Sequence, residues 1–370
     1  MRIGFDAKRA FLNKSGLGNY SRDLIRSLHN YYPENDYFLF TPKPETNLLE
    51  PEYRKNIITP SGINKNFSSL WRSFKMGNDI EKCKMDIYHG LSNELPRNIN
   101  KTKAAKIVTI HDLIFIKYPQ LYKATDRLIY KIKFKNSCIE ADKIIAISEQ
   151  TKADIIRYFK IPENKISVIY QGCNPIFYEK VNKESLEKTK KKFSLPDNFI
   201  LTVGTIEQRK NALNVVKALY YYNLDIPYVL IGRKTSYLKK ILKYASEHNI
   251  SKQIIIPENI NNENLRDIYQ LSSIFAYPSI YEGFGIPVLE AQNSGIPVIT
   301  SEYGSTVEAA GKGALLVNPL DPKSIGSAIK ELLENSETRK NLIDKAYENV
   351  KKFRQEEMSD KIIKLYESLN

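Results

Sequence analysis

The sequence predicts an α/β fold in which two parallel sheets are each wrapped by helices. Short apolar runs, typical of buried strands, alternate with longer amphipathic runs, typical of helices, and this alternation occurs twice along the chain. Between the two series, Asn174-Pro175 and a charged stretch from Glu179 to Lys192 break the apolar pattern. A length of 370 residues also suits two domains.

We therefore predict a first domain over 1–173, a linker over 174–194 and a second domain over 195–355. In the first domain, strands are expected near 2–6, 37–41, 86–89, 107–110, 143–147 and 166–170, and helices near 18–31, 67–83, 119–138 and 149–159. In the second, strands are expected near 199–204, 227–232, 253–256, 274–277, 297–301 and 314–317, and helices near 211–223, 235–247, 262–272, 287–294, 321–335 and 337–353. The amphipathic stretch 356–370 could pack on either domain, and we expect it on the first.

Composition narrows the class of protein. No apolar run reaches transmembrane length, and the first residues enter a strand directly, so we expect a cytoplasmic protein without a signal peptide. Neither the three cysteines nor the four histidines show metal-site spacing, so no metal is expected; they lie at 83, 138 and 173, and at 29, 89, 111 and 248.

Positive charge is concentrated in the first half. Residues 1–172 carry 29 Lys and Arg against 18 Asp and Glu, whereas residues 173–370 carry 27 against 24. This asymmetry favours an anionic partner, either a membrane surface or nucleic acid, although a lysine-rich solvated surface explains it equally well. No nucleic-acid reading motif is recognisable, so we expect none as a partner. The runs Lys131-Ile132-Lys133-Phe134-Lys135 and Trp71-Arg72-Ser73-Phe74-Lys75 are the predicted membrane contacts, which would make the protein peripheral.

The most informative run is Tyr281-Glu282-Gly283-Phe284-Gly285-Ile286-Pro287-Val288-Leu289-Glu290. It predicts a Gly-x-Gly turn that leads into a helix with Pro287 in its first turn, so Glu282 lies in a loop and Glu290 in the first helical turn. Unpaired N–H groups at such a helix start suit a phosphate, while carboxylates suit the vicinal hydroxyls of a ribose or a sugar.

Each acid taken alone is more often a solvated turn residue or a first-turn acid that complements the helix dipole. The surroundings favour a site, because 274–279 and 295–301 read as consecutive buried strands. The acids would then follow the carboxyl end of a parallel strand, where open α/β sheets bind ligands.

Three further clusters are expected at sheet ends. Gly16-Leu17-Gly18 opens a helix and lets the backbone approach a phosphate, although such glycines often only form turns. His111-Asp112 ends the apolar strand 107–110, where a hydrogen-bonded core histidine and a site histidine are both reasonable. Arg209 and Lys210, in the turn after Gly204, oppose the dipole of the next helix, which indicates that they hold an anion.

With these motifs, the chain resembles a family 4 retaining glycosyltransferase over essentially its whole length. The matching segments are Gly16 to Gly18, Thr109 to Ile114, Gly204 to Asn211, Glu282 to Glu290, and Val307 to Gly311. Among them, His111-Asp112-Leu113 and Ser279 to Gly285 are most similar to bacterial mannosyltransferases of O-antigen and related surface polysaccharides. The chain departs from the family pattern at Gln171-Gly172-Cys173-Asn174 and at Gln208.

The resemblance implies the GT-B fold, in which two Rossmann-like doubly wound domains face each other across a cleft. It implies a nucleotide-sugar donor as substrate, no cofactor or metal, and a glycan or lipid-linked acceptor. Glu290 would hold the ribose, Glu282 the donor sugar, Arg209 and Lys210 the diphosphate, and His111 the sugar as well. The donor-binding set implied is Gly16, Gly18, Gly204, Arg209, Lys210, Gly232, Arg233, Gly283, Phe284, Gly285, Ile286 and Glu290.

The resemblance further implies GDP-mannose as the donor, with transfer of an α-mannosyl residue to a surface glycan. A UDP-sugar stays open, because one arginine at 233 can donate to a carbonyl of guanine or of uracil. A nucleotide-binding protein without transferase activity is a further alternative.

Two other enzyme classes fit less well. A dinucleotide-dependent oxidoreductase would need G-x-G-x-x-G directly between its first strand and helix. A glycoside hydrolase would need its two acids on opposite faces of a sugar, whereas Glu282 and Glu290 share one rim.

Overall fold

The computed structural model describes residues 1–44 and 48–370, and of Ile63 only the backbone. The chain divides into two compact units. The first comprises Met1–Gly172 together with Gln355–Asn370, and the second comprises Cys173–Arg354.

Each unit is built on one parallel sheet. The first sheet has the strand order β3-β2-β1-β4-β5-β6-β7 and the second β10-β9-β8-β11-β12-β13. The strands of the first are β1 Arg2–Asp6, β2 Asp36–Phe40, β3 Asn56–Ile58, β4 Ile87–Gly90, β5 Ala105–Ile110, β6 Lys143–Ala146 and β7 Ile166–Val168. Those of the second are β8 Ile200–Val203, β9 Tyr228–Ile231, β10 Ile254–Ile255, β11 Ile274–Tyr277, β12 Val298–Ser301 and β13 Ala314–Val317.

The helices follow the strands, as the predicted alternation requires. Up to the boundary between the units they are α1 Lys8–Leu12, α2 Gly16–Tyr31, α3 Ser68–Leu70, α4 Met76–Lys82, α5 Ile114–Lys117, α6 Ala124–Glu140 and α7 Glu149–Phe159. Beyond it they are α8 Lys183–Lys192, α9 Ala212–Tyr221, α10 Tyr237–Glu247, α11 Asn262–Leu271, α12 Ile286–Asn293, α13 Ser305–Ala310, α14 Pro322–Glu334, α15 Ser336–Val350 and α16 Gln355–Glu367. The α/β doubly wound fold class is confirmed.

The sequence pattern misses the short elements β3, α1 and α5 of the first unit, and one interruption of a helix. Strand β3 escapes it because an edge strand of three residues gives almost no periodic signal. The helix predicted over 67–83 is interrupted by a π-helical turn, Trp71–Lys75, between α3 and α4. Trp71 at the start of this turn is fully buried, and its indole N–H donates to Asp79 at 2.6 Å.

The core of the first unit includes the end of the chain. Ile3 and Phe5 of β1 pack in one cluster with Leu24 of α2 and with Ile362 and Tyr366 of α16. Helix α16 therefore forms part of the first unit, although the second unit precedes it in sequence.

Residues 174–194, predicted as a linker, belong to the second unit. Helix α8 lies within this segment, and the Thr189 hydroxyl donates to the buried Asp267 carboxylate of α11 at 2.7 Å. The charged composition reflects the solvated face of a packed helix, which a count of charges cannot distinguish from a linker.

Candidate active site

The second sheet brings two loops together at its carboxyl edge. Strands β8 and β11 are neighbours, and the chain leaves them in opposite directions along the sheet, toward β9 on one side and β12 on the other. Ligands of open α/β sheets bind outside such a switch point. The loops that follow, 204–211 and 278–285, carry the predicted site residues.

Glu282 is held between the two cations of the first loop. Its Oε2 lies 2.6 Å from Arg209 Nη1, and its Oε1 lies 2.6 Å from Lys210 Nζ. The hydroxyls of Tyr277, at 3.1 Å, and Ser279 donate to Oε1 as well. The structure therefore brings three of the predicted residues into direct contact.

These contacts fix the charge of Glu282. Burial alone would raise the pKa of this carboxyl, but the charges of Arg209 and Lys210 and the hydrogen bonds outweigh burial and lower the pKa to about 2. Burial also works against the charge of Arg209, yet Glu282 and Glu207 together raise its pKa above the ordinary value. The acid and the guanidinium are thus both ionised near neutral pH.

Arg209 is anchored from two further directions. Its Nη1 donates to the Tyr281 carbonyl oxygen at 2.6 Å, and its Nη2 donates to Glu207 at 2.7 Å. Arg209 and Lys210 lie on a separate 3-10 turn, Gln208–Lys210, which the left-handed Asn211 divides from α9. The two cations therefore point to the loop after β11.

Two glycines shape the edge of the sheet. A Cβ on Gly232 would lie only 1.9 Å from the carbonyl oxygen of Gly204, and both residues have φ near +140°, at +149° and +139°. Only glycine allows this approach of the β8 and β9 ends. Arg233, which follows Gly232, is exposed.

Glu290 lies further along α12 than predicted. The helix begins at Ile286, so Glu290 is its fifth residue and stands beyond the first turn; Pro287 is in the first turn, as predicted. The Tyr269 hydroxyl donates to Glu290 Oε2 at 2.7 Å. Both Glu282 and Glu290 raise the pKa of the buried Tyr277 after the effect of burial, so the two acids lie around one tyrosine.

The turn between the two acids has mixed surroundings. Gly285 has φ +136°, and a Cβ there would contact Ala309 at 3.3 Å. Gly283 and Ile286 are half-buried in this turn. Phe284, predicted to bind the donor, is buried with its ring against Phe353 at 5.5 Å, so its side chain belongs to the packing of the unit.

In the first unit, His111 follows β5 and is buried with its ring hydrogen-bonded. Its Nε2 lies 2.9 Å from the Leu91 carbonyl oxygen, a contact that requires the proton on Nε2. The Gln171 amide lies 3.3 Å from Nδ1, which accepts. Burial lowers the pKa of His111 to about 4, so the ring is neutral.

The glycine-rich segment opens helix α2, as predicted. Gly16 is the first helical residue and is exposed, with open space where a Cβ would stand. A Cβ on Gly18 would lie 1.8 Å from the Asn13 carbonyl oxygen, which accounts for this glycine by packing alone.

Sequence reasoning missed an ion network at the end of β1. Arg72 donates to Asp6 from Nε and to Glu94 from Nη1, both at 2.9 Å, and Lys133 lies 3.3 Å from the same Glu94 oxygen. These side chains and Arg97 line a cavity of about 40 Å³. An acid as the last residue of the first strand was the available signal.

Sequence reasoning also missed Tyr277, Ser279 and Tyr269, which hold the two acids. Tyr277 and Ser279 could have been found, because they end and follow the strand that precedes Glu282. Tyr269 lies on a separate helix and offers no such signal.

Over 1–44 and 48–370, no group of three or more His, Cys, Asp or Glu side chains is placed to hold a metal ion. Over the same ranges, no helix has the length and apolar content to cross a bilayer.

Two family models match the chain, one in each unit. The model described as Glycosyltransferase Family 4 matches residues 14–176, and Glycosyl transferases group 1 matches residues 183–349. Across most of the chain, the uncharacterized glycosyltransferase MJ1178 of Methanocaldococcus jannaschii is 30% identical over 341 residues, which are 87% of each protein.

Two bacterial relatives are also similar. The O-antigen chain mannosyltransferase B of Escherichia coli is 26% identical over 288 residues, 76% of this chain and 74% of the relative. The O-antigen chain mannosyltransferase RfbU of Salmonella typhimurium is 28% identical over 225 residues, 61% of this chain and 60% of the relative. The match thus spans less than two thirds of RfbU.

Solved structures share the fold across the whole chain. The sucrose-phosphate synthase of Thermosynechococcus elongatus superposes with a TM-score of 0.80 at 22% identity, covering 100% of this chain and 99% of that one. Anabaena Alr3699/HepE in complex with UDP-glucose gives a TM-score of 0.78 at 14% identity, with both chains fully covered at 100%. Two Rossmann-like units of this kind define the GT-B class of fold. The chain belongs to glycosyltransferase family 4, which confirms the resemblance.

The Glu282 ion pairs predict an acid-sensitive contribution to stability. Because the folded state lowers the pKa of Glu282 from 4.5 to about 2, the charged form stabilises the protein above pH 4.5, and the contribution is lost as the pH falls toward 2. Glu282→Gln should lower the free energy of unfolding by about 3 kcal/mol near neutral pH. In urea titrations, the difference from wild type should shrink at about pH 3.

The control is Glu207→Gln. Glu207 also pairs with Arg209, but its side chain is 35% exposed. This substitution should change the free energy of unfolding by less than about 1 kcal/mol. A difference between Glu282→Gln and wild type that stays constant from neutral pH to about pH 3 would contradict the low pKa.

Proposed function

We propose that this protein is a retaining, metal-independent glycosyltransferase that transfers an α-mannosyl residue from GDP-mannose to a growing surface glycan. The observation that carries the proposal is the cluster of Arg209, Lys210 and Glu282 at the switch point of the second sheet. The mannosyl donor and the glycan acceptor are supported by the names of the two bacterial relatives.

The cations are suited to a diphosphate. Lysine has three N–H donors and arginine five, so groups that hold Glu282 can also donate to phosphate oxygens. Fixed positive charge stabilises the negative charge that grows on the leaving diphosphate as the glycosidic bond breaks. Glu282 and Glu207 hold the cations in place before the donor binds.

The geometry favours front-face retention over a covalent intermediate on Glu282. Both carboxylate oxygens face cations, and the lowered pKa makes this acid a weak nucleophile. The acceptor hydroxyl would then attack on the face that the diphosphate leaves. The bond from the anomeric carbon to the acceptor oxygen forms as the bond to phosphate breaks, and the hydroxyl proton passes to the departing phosphate oxygen.

The remaining predicted residues would contact the ribose, the sugar and the base of the donor. Glu290, on the helix that follows, would accept from the ribose hydroxyls. His111 would accept from a sugar hydroxyl through Nδ1, in place of the Gln171 amide, since Nε2 is engaged with Leu91. The base would lie near Arg233 and the Lys234–Glu258 ion pair, at the ends of β9 and β10.

The acceptor sugar would bind to the first unit. The cavity beside Asp6, Arg72 and Glu94 opens at the switch point between β1 and β4 and offers donors and acceptors together. Its volume of about 40 Å³ suits only one or two hydroxyl groups of an acceptor sugar.

A lipid-linked acceptor on an anionic membrane is supported by exposed apolar side chains. On the outer face of α6, Leu128, Ile132 and Ile139 are exposed beside Lys131 and Lys135. A soluble surface rarely presents such a stripe, and basic flanks favour anionic lipid.

The second predicted membrane run fits only in part. Phe67, Leu70 and Phe74 are exposed near the π-helical turn. Trp71 is buried and Arg72 pairs with Asp6, so neither can contact lipid, and Phe134 of α6 is core.

The donor is tested by competition. We expect GDP to raise the melting temperature more than UDP does, and mannose to be transferred from GDP-mannose with retention of the α configuration, seen by NMR of the product. An alternative within the same fold is a UDP-hexose, favoured by the UDP-glucose complex of the Anabaena structure. Tighter binding of UDP, or transfer only from a UDP-hexose, would replace GDP-mannose by that donor, and stabilisation without any transfer would leave a nucleotide-binding protein.

The leaving-group mechanism predicts three separable variants. Replacing Arg209 and Lys210 by Ala should lower kcat by more than about tenfold, because both cations would stabilise the charge that develops on the leaving diphosphate. Glu290→Gln should weaken GDP binding by about 1.5–3 kcal/mol. Glu282→Gln should lower transfer without weakening GDP, because it frees two cations.

Excess chelator should leave the wild-type rate unchanged. Activity lost in chelator and restored by Mg²⁺ or Mn²⁺ would contradict the metal-independent mechanism, and weaker GDP binding by Glu282→Gln than by Glu290→Gln would reverse the assigned roles of the acids.

Membrane binding is tested by flotation with liposomes that contain or lack anionic lipid. Wild type should float with anionic vesicles, since each basic residue near the surface contributes about 1 kcal/mol. Leu128→Ser with Ile132→Ser should remove most binding, whereas Leu320→Ser, at an exposed leucine of the second unit, should not. Equal partition onto neutral and anionic vesicles would leave only a solvated lysine-rich surface.

A further inference from the structure

A chain of buried hydrogen bonds links the C-terminal helix of the first unit to helix α2. The Tyr366 hydroxyl lies 2.6 Å from His89 Nδ1, and His89 Nε2 lies 2.8 Å from Thr109 Oγ1. The same Thr109 oxygen lies 3.0 Å from the Tyr20 hydroxyl. Tyr366, His89 and Thr109 are completely buried, so water cannot replace any member.

His89 makes this chain cooperative. Burial lowers the pKa of His89 to about 3, and the neighbouring His111 acts in the same direction, so the ring is neutral. A neutral imidazole donates from one nitrogen and accepts at the other. Removing the hydroxyl of Tyr366 or of Thr109 leaves a buried ring nitrogen of His89 without its partner, and the ring must turn or shift.

The chain of hydrogen bonds ends at Tyr20, whose ring contacts His111. The rings of Tyr20 and His111 form a T-shaped contact, with ring centroids 4.7 Å apart and planes at 87°. Tyr20 also lies just after Gly16 and Gly18 in α2. The hydrogen bond of its hydroxyl to Thr109 therefore fixes a ring that packs against the predicted site histidine.

Helix α16 reaches His111 by a second route. The backbone N–H of Gly172 contacts Met358 Sδ at 3.4 Å, and a Cβ on Gly172 would lie 2.9 Å from Gln355 Cα. The preceding residue, Gln171, contacts His111 Nδ1. The same helix thus supports the imidazole from the Tyr20 side and from the Gln171 side.

We propose that Tyr366, acting through His89, Thr109 and Tyr20, is a positioning residue that holds His111 in the orientation needed for sugar transfer. The proposal rests on the proposed function in one respect, the contact of His111 with a sugar hydroxyl. It gives the last residues of the chain a function in the reaction beyond completing the core.

The test compares two tyrosine hydroxyls that tie α16 to the first unit. Tyr366→Phe breaks the chain at its origin, whereas Tyr32→Phe removes the hydrogen bond from Tyr32 to Asp360, which has no connection to His111. We expect Tyr366→Phe to lower kcat about tenfold, as a small misplacement does, with the donor KM unchanged. Tyr32→Phe should keep the wild-type kcat.

Thr109 provides an internal rescue. Thr109→Val removes the shared hydroxyl at nearly the same volume and should behave like Tyr366→Phe, whereas Thr109→Ser keeps the hydroxyl and should restore most of kcat. Equal losses in the serine and valine variants would indicate packing rather than hydrogen bonding.

Side-chain NMR of ¹⁵N-histidine protein separates this proposal from the proposed function. In wild type, the signals of His111 should show the Nε2–H tautomer, and they should shift or broaden in Tyr366→Phe but not in Tyr32→Phe. Unchanged His111 signals and kcat in Tyr366→Phe, or equal changes in Tyr32→Phe, would overturn the positioning role. Full transfer by His111→Ala would instead remove the sugar contact from the proposed function, while the NMR shifts would still report the coupling.

Discussion

The second unit depends on a carboxylate buried between two cations. Glu282 comes from the loop after β11, whereas Arg209 and Lys210 come from the turn after β8, so their ion pairs join the two loops that follow neighbouring strands. A buried charge is tolerated only when it is paired and hydrogen-bonded, and Tyr277 and Ser279 supply the remaining donors. The arrangement leaves little freedom: if one partner moves, an uncompensated charge remains in the interior. The same interaction thus fixes the positions of the two cations and stabilises the sheet edge.

The first unit solves the equivalent problem with neutral groups. His111 follows β5 as a neutral imidazole held by the Leu91 carbonyl, and its ring is supported by Tyr20. Charge at this sheet edge is kept in the separate network of Asp6, Arg72 and Glu94. The two parallel sheets therefore differ at corresponding edges: the second has a carboxylate between two cations, whereas the first has a neutral histidine relay beside a separate group of ion pairs.

Much of this could be predicted from the sequence, because strands in parallel sheets are short continuous apolar runs bounded by polar turns. Every strand was found except β3, and the loops that bear Glu282, Arg209 and His111 were found because they follow such runs. Contacts between residues distant in the chain could not be predicted from the sequence. The burial of Phe284, the contact of Tyr269 with Glu290 and the docking of α8 through Thr189 all depend on residues distant in the chain. Charge composition misled twice, at the supposed linker and at Arg72, because a count of charges does not show which of them are paired.

The position of α16 has a consequence for how the protein is made. The hydrophobic cluster of the first unit contains Met358, Ile362, Ile363 and Tyr366, yet the whole second unit is translated before these residues. The first unit therefore lacks one wall of its core until α16, which follows the whole second unit in sequence, has been synthesised. Until then, the apolar face of α2 and the ring of His89 lack the α16 side chains that cover them. Chaperones recognise transiently exposed apolar surface of this kind.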